Sequence, residues 1–325
     1  MNDKKVLLIG GAGFIGSYLA KALVSLGYEV SIFDAFLNFA SSGSEYKVLV
    51  KERMKAIKNK VKIYRVDIRE KNKLEDLMLR VSPQYIIDLA AISITSPKLT
   101  KIYQEDIYST NVQGTLNILD ALNKVKTVKK FIFVSSSFVY GDFQYFPADE
   151  MHPLNPINLY GHTKLVGEKL TTFYCKEMQM AYVIIRFSSV YGFGDSNKRI
   201  PQIMTTNALK KQPIVLKNKG NNKLDFTYVE DAVSGLILAL RSHNSKNKIF
   251  NITYGKGRSL KDYIRIMSQH IKDIKVVEKK KSMRYPKRGA LSIEKARSLL
   301  KYVPRYPLEN GIRQYIFDMQ QFLGL

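Results

Sequence analysis

The segment Gly10-Gly-Ala-Gly-Phe-Ile-Gly16 constrains this chain more than any other, because of what flanks it. Lys5–Ile9 is a short apolar run of the kind that forms a buried strand. A helical pattern opens directly after the glycines, through Phe14, Ile15, Leu19, Ala22, Leu23 and Leu26, and stops at Gly27. Tyr28 to Phe33 then reads as a second strand ending in Asp34. Gly11, Gly13 and Gly16 fit G-x-G-x-x-G, while Gly10 and Gly13 frame the variant G-x-x-G-x-x-G. In the order strand, glycine turn, helix, strand, acid, such glycines let backbone N–H groups approach a pyrophosphate at a helix N-terminus. Gly10, Gly13, Phe14, Ile15 and Gly16 are therefore expected to contact a dinucleotide. Asp34 lies 18 residues beyond Gly16. A carboxylate there accepts from a ribose 2′-OH and repels a 2′-phosphate, which favours NAD over NADP.

The same alternation continues through the first half. Strands are expected at Val6–Ile9, Glu29–Phe33, Val61–Val66, Tyr85–Leu89, Lys130–Val134 and Tyr182–Ile185, with helices between them that include 71–80, 108–123 and 159–176. Repeated βα units build a parallel sheet covered on both faces. The fold class is thus α/β, a doubly wound parallel (Rossmann) sheet with a second, smaller α/β substrate domain. Beyond about Val190 the pattern loosens, although 229–241 reads as a helix and 249–252 as a further sheet strand. The expected division is a nucleotide domain over 1–187, rejoined by about 226–252, and a substrate domain over 188–225 and 253–325.

Chemistry enters with Tyr160 and Lys164, four residues apart in a helical stretch. At that spacing both side chains leave one face, and an ammonium beside a phenol favours the phenolate. Upstream, Ser135-Ser-Ser-Phe-Val-Tyr-Gly141 follows an expected strand. Hydroxyls at the carboxyl end of a parallel strand face the ligand side, and one of them could align a substrate oxygen with Tyr160.

Composition excludes several alternatives. No apolar run is long enough for a membrane span, no basic-then-apolar leader precedes the first strand, and nothing reads as a metal site. The single cysteine, Cys175, allows no intramolecular disulfide, which points to a reducing, cytoplasmic setting. Lys+Arg number 52 against 28 Asp+Glu, a net charge of +24. The basic residues are spread out, densest at 51–62 and 279–288, without interleaved aromatics. A lysine-rich solvated surface, or a field that attracts an anionic substrate, fits this better than nucleic-acid binding.

Taken together, these segments resemble the extended short-chain dehydrogenase/reductase family, within it the NAD-dependent nucleotide-sugar epimerases and dehydratases. Further landmarks are Asp67-Ile-Arg69, Leu89-Ala-Ala91, Asn111-Val-Gln-Gly-Thr115, Arg186-Phe-Ser-Ser-Val-Tyr-Gly192 and Asp225-Phe-Thr-Tyr-Val-Glu-Asp231. The resemblance implies that Asp67 and Ile68 flank the adenine and that Leu89, Ala90, Ala91 and Ser135 join the cofactor contacts. It implies that Asn111, at the bend of a long helix, positions Lys164, which binds the nicotinamide ribose. Ser136 takes the catalytic serine place beside Tyr160 and Lys164. Ser136, Ser137, Ser189, Arg199 and Arg288 are implied to touch substrate, Arg288 as an arginine for its diphosphate. The implied substrate is a nucleotide-diphosphate sugar. The implied assembly is a homodimer on the helices of Asn111 and Tyr160.

Departures narrow the reaction. Dehydratases of this type carry acids just before Val-Tyr-Gly, where this chain has Ser137 and Phe138. Elimination needs an acid for the departing hydroxyl. The expected activity is therefore oxidation at C4 with 4-epimerisation. Net 4-dehydrogenation or 4-ketoreduction, then a 4,6-dehydratase, and a non-catalytic, regulatory NAD-binding role are the alternatives. Asp88 stands where histidine is common, Ser189 where asparagine is usual, and Leu224 where arginine is usual. Lys198, Arg199, Lys217, Lys219, Lys223 and Arg284 are candidates to rebuild the phosphate grip.

Overall fold

A computed structural model describes residues 4–41, 43–279 and 286–325. Its centre is a seven-stranded, wholly parallel sheet. Six strands alternate with helices: β1 (Lys5–Ile9), β2 (Glu29–Asp34), β3 (Lys62–Arg65), β4 (Tyr85–Asp88), β5 (Lys130–Ser136) and β6 (Ala181–Phe187). The seventh, Lys248–Ile252, returns from far along the chain to pair with β6 at the sheet edge. From that edge the order is β6, β5, β4, β1, β2, β3. The order reverses beside β1, which pairs with β2 on one side and β4 on the other, so the ligand crevice opens above Ile9 and Asp88.

Side-chain alternation divides the core. Leu7, Ile9, Phe131 and Phe133 pack on one face with Ile118, Leu122 and Cys175. Val6, Leu8, Ile132 and Val134 face the other way, towards Leu19, Leu23, Val229 and Leu236. That second cluster does not end at the sheet. It runs on through Tyr191, Tyr263, Ile312 and Tyr315, so the carboxyl-terminal helices share one core with the nucleotide-binding half.

Two helical features depart from the sequence reading. The helix expected over 108–123 is broken: Gln104–Tyr108 and Thr115–Lys124 are joined by a six-residue π-helical stretch, Ser109–Gly114. Thr115 Oγ1 donates to the Asn111 carbonyl at 2.8 Å within it. Gly114 lies so close to Ile68 that a Cβ there would come within 2.4 Å of its side chain. The helix Gly43–Met54 was not anticipated from the pattern. It buries only Tyr46, Arg53 and Met54 and carries little apolar periodicity, because it runs into the lysine-rich segment.

Candidate active site

The glycine turn is shaped as a cradle. Gly10 has φ +74°, and a Cβ on it would stand 2.8 Å from the Ala90 nitrogen. A Cβ on Gly16 would meet the Gly10 carbonyl at 2.7 Å. Only glycine leaves the backbone bare here. Gly13 is the N-cap of the helix Phe14–Ser25, with no side chain capping it. Asp34 ends β2, where its Oδ2 accepts from the Ala12 N–H (3.0 Å) and its Oδ1 from the Phe36 N–H (2.8 Å). Burial pushes its pKa up, against those two bonds and the nearby Arg53 guanidinium. These residues fit NAD: an open helix N-terminus for the pyrophosphate and a fixed carboxylate with lone pairs left for a ribose.

Next to Asp34 lies a surface cavity lined by Ala35, Leu37, Arg65, Val66, Asp67, Glu70 and Lys73. Asp67 is clamped by Arg69 (2.7 Å), which also reaches Asp106 (2.8 Å). Ile68 follows Asp67 and is held from the helix side. Its side chain packs against Gly114, and its carbonyl accepts from Asn117 Nδ2 at 2.9 Å.

Catalytic groups converge at the carboxyl end of β5. The helix Leu159–Glu177 is capped by Asn158, whose Oδ1 accepts from the Gly161 N–H at 2.8 Å. Tyr160 and Lys164 project together from its first turns and both are buried. Burial raises the Tyr160 pKa, opposed by the Arg199 charge and by interaction with the Ser136 side chain. Lys164 Nζ donates to the Val134 carbonyl at 2.8 Å and lies 4.7 Å from the Phe133 ring centre. Burial drives its pKa down to about 8, and the charges of Asp88 and Glu168 pull it back up. Asn111 spans the neighbouring elements: its Oδ1 accepts from the Ile92 N–H (2.8 Å) and its Nδ2 donates to Thr163 Oγ1 (3.0 Å). It thereby ties the loop after β4 to the residue preceding Lys164.

The family described as NAD dependent epimerase/dehydratase matches residues 6–253. The chain belongs to the NAD-dependent epimerase/dehydratase family. It is thus an enzyme of the extended short-chain dehydrogenase/reductase type with NAD as cofactor. A putative UDP-glucose 4-epimerase of Methanocaldococcus jannaschii is 32% identical over 322 residues, covering 96% of this chain and 97% of that protein. The structure of UDP-glucuronic acid 4-epimerase from Bacillus cereus, solved with UDP-glucuronic acid and NAD, superposes with TM-score 0.89 at 28% identity, covering 98% and 99% of the two chains. UDP-glucose 4-epimerase from Thermotoga maritima, solved with UDP-glucose, gives 0.85 at 26%, with the same coverages.

In this epimerase/dehydratase chain the other expected site residues fall into two groups. Ser135 is not free to serve a cofactor through its hydroxyl, which donates to Glu168 Oε1 at 2.6 Å. The Ala90 N–H donates to Asp88 Oδ1 (3.0 Å) and the Leu89 N–H to the Ile9 carbonyl (2.9 Å). Ala91, like Ala90, is half-buried beside the glycine turn's neighbour strand. Ser189 offers its carbonyl to the Thr227 N–H (3.2 Å), and its side chain has no role that contacts reveal. Arg199 is brought to the site: Nη2 donates to Ser93 Oγ (3.1 Å) and Nη1 lies 3.6 Å from Asp195. Lys198, Lys219 and Lys223 are exposed. Arg284 and the side chain of Lys217 lie outside the described residues.

The sequence reading missed two groups. Glu168 meets Arg186 inside the protein, and Arg186 Nη1 reaches the Tyr140 hydroxyl at 3.0 Å. Its signal was present, since Glu168 lies four residues beyond Lys164 on the same face. Asp88 was noted only as a departure. In the fold it is fully buried, its pKa pushed up to about 6 by that burial, and its Oδ2 has no partner among the described residues.

Proposed function

We propose that this enzyme epimerises C4 of a nucleotide-diphosphate sugar. The observation that carries the reading is the convergence of Ser136, Tyr160 and Lys164 at the carboxyl end of β5, all three buried, beside positions 137 and 138 that hold no acid. The UDP-sugar 4-epimerases it resembles in sequence and in structure support it.

When bound, NAD supplies a site that takes the hydride from C4 and gives it back. Tyr160 removes the proton from the C4 hydroxyl, leaving a 4-keto sugar, and returns it after the sugar has turned its other face. Ser136 holds the same oxygen in line. Lys164, anchored to the Val134 carbonyl, supplies a fixed cation one helical turn from Tyr160. In the protein alone burial keeps Tyr160 above the ordinary phenol range. Ionisation at neutral pH therefore needs the cations Lys164 and Arg199 and the positive charge of the oxidised cofactor together.

The test is mass analysis of products from a panel of nucleotide sugars. An isomer of unchanged mass is the expected result. Loss of one water would make it a dehydratase, and loss of two hydrogens with stoichiometric NADH a net dehydrogenase.

A homodimer is part of this proposal. Ile102, Tyr108, Val166 and Phe173 remain exposed on and beside the helices carrying Asn111 and Tyr160. Four large apolar side chains on neighbouring helices form a face suited to a second copy. Light scattering at micromolar concentration should give twice the chain mass, and a monomer would overturn it. The single cysteine suits a reducing cytoplasm: Cys175 is buried, with its thiol pushed up to about 12.

A further inference from the structure

The segment 193–199 leads from the sheet to Arg199 and is held by residues of the first two βα units. Tyr18 Oη donates to the Phe193 carbonyl at 3.3 Å, Asn38 Nδ2 to Ser196 Oγ at 3.1 Å and Ser41 Oγ to the Ser196 carbonyl at 2.5 Å. Arg53 grips the same segment from inside. Its Nη1 donates to the Gly194 carbonyl at 2.7 Å, and a Cβ on Gly194 would stand 3.0 Å from the arginine's Cγ. Gly194 has φ +89°, and its bare backbone lets the arginine stem lie against it. Arg53 is buried on the helix Gly43–Met54, with the Tyr46 ring 5.6 Å from its guanidinium. Its Nε and Nη2 have no hydrogen-bond partner among the described residues. A buried guanidinium with idle donors carries a desolvation cost that an apolar side chain of similar size would not. Stability alone therefore does not account for an arginine here. Asp34 and Asp195 are acids within electrostatic reach, one ending β2 and the other inside the held segment.

Arg199 stands at the far end of that segment. Its Nη2 donates to Ser93 Oγ (3.1 Å), its Nη1 lies 3.6 Å from Asp195, and its charge acts on Tyr160. Ser93 follows Ile92, whose N–H donates to Asn111 Oδ1 at 2.8 Å. Asn111 Nδ2 donates to Thr163 Oγ1 (3.0 Å), which itself donates to the Tyr160 carbonyl (2.9 Å). A continuous set of bonds thus runs from the helix Gly43–Met54 to the first turn of the catalytic helix. The other charges around Tyr160 come from elsewhere. Lys164 brings its own neighbours Asp88 and Glu168. Arg288, whose Nη1 donates to Ser137 Oγ at 2.9 Å, lies across the Phe138 ring that meets Tyr160 edge-on. We infer that Arg53 is a positioning residue: it pins the segment 193–199 to the second βα unit and thereby holds Arg199 against the catalytic helix. This rests on Tyr160 as the base and is independent of which sugar is turned over.

The test follows the Tyr160 proton on the NAD-loaded enzyme. Phenolate absorbance is titrated for each variant, minus that of the same variant carrying Tyr160→Phe. Arg199→Gln should move the midpoint to higher pH, because it removes a cation that favours the phenolate. Arg53→Met should move it the same way, by roughly half as much or more. The double variant should match Arg199→Gln alone, since Arg53 acts through that arginine. Additive shifts would mean that Arg53 works by its own charge, and they overturn the proposal. An unmoved midpoint in Arg53→Met or in Arg199→Gln overturns it too. Ser41→Ala removes another bond to the same segment and decides the matter should Arg53→Met not fold. A smaller upward shift, absent in the Arg199→Gln background, supports the proposal, and no shift overturns it. No sugar enters the measurement, so failure of the 4-epimerase reading leaves its result standing.

Discussion

Glu168 Oε2 stands 2.6 Å from Arg186 Nη2 in the interior, both side chains almost fully enclosed. The carboxylate also takes the Ser135 hydroxyl (2.6 Å), and the guanidinium also reaches Tyr140. The pair locks the helix of Tyr160 and Lys164 to strands β5 and β6. Glu168→Leu would leave the Arg186 charge buried alone and should cost about 3–5 kcal/mol in urea denaturation. The double change Glu168→Leu with Arg186→Met should recover much of that loss, because no unpaired ion remains. Equal destabilisation by single and double variants would show that the pair is not the source.

Tyr160→Phe should lower turnover by about 10²–10⁴-fold, the range for a positioned proton-transfer group. Ser136→Ala should cost less, since it removes alignment and leaves the base. Steady-state assays on one epimerised sugar check both, and a reversed ranking would move the base role to Ser136.

The pH profile should respond to Asp88. Lys164 sits near 8, depressed by burial and held up by the Asp88 and Glu168 charges. A depressed lysine loses its proton as pH rises through that value, so kcat should decline on the alkaline side. Asp88→Asn deletes one of the charges that raise it. The alkaline limb should then shift to lower pH, with Glu168, Tyr160 and Arg199 as the remaining charged or titrating neighbours. An unmoved limb would mean Asp88 does not act on Lys164.

Asp34→Ser should narrow the gap between NAD and NADP by calorimetry, because it removes the charge that repels a 2′-phosphate. Wild-type protein binding NADP as tightly as NAD would contradict the role given to this carboxylate.

Much of the fold was legible because each central strand is a short apolar run punctuated by glycine, proline or a charged helix, and β5 is buried along its whole length. Strand ends differed by one or two residues, as between the expected 130–134 and Lys130–Ser136. The π-helical turn was hidden, since Ser109–Gly114 is set by the closeness of Ile68 and by a side-chain bond, neither of which has a sequence period. In the site, Tyr160, Lys164 and Ser136 could be read because their spacing is local. Arg288 on Ser137 could not, because 151 residues separate them and only the returning loop brings them together. The bond from Ser135 to Glu168 was hidden for a similar reason: adjacency to Ser136 says nothing about a carboxylate 33 residues away.

The late return of Lys248–Ile252 to the edge of β6 has a consequence for how this protein is made. As the chain emerges from its amino end, all six earlier strands are available while β6 still shows an open row of backbone donors and acceptors. That edge is closed only after about 60 more residues have been synthesised. The nucleotide half cannot be finished first and decorated later. Its last strand arrives only after that excursion, so premature termination before residue 252 leaves a six-stranded sheet with an adhesive edge rather than a smaller working protein.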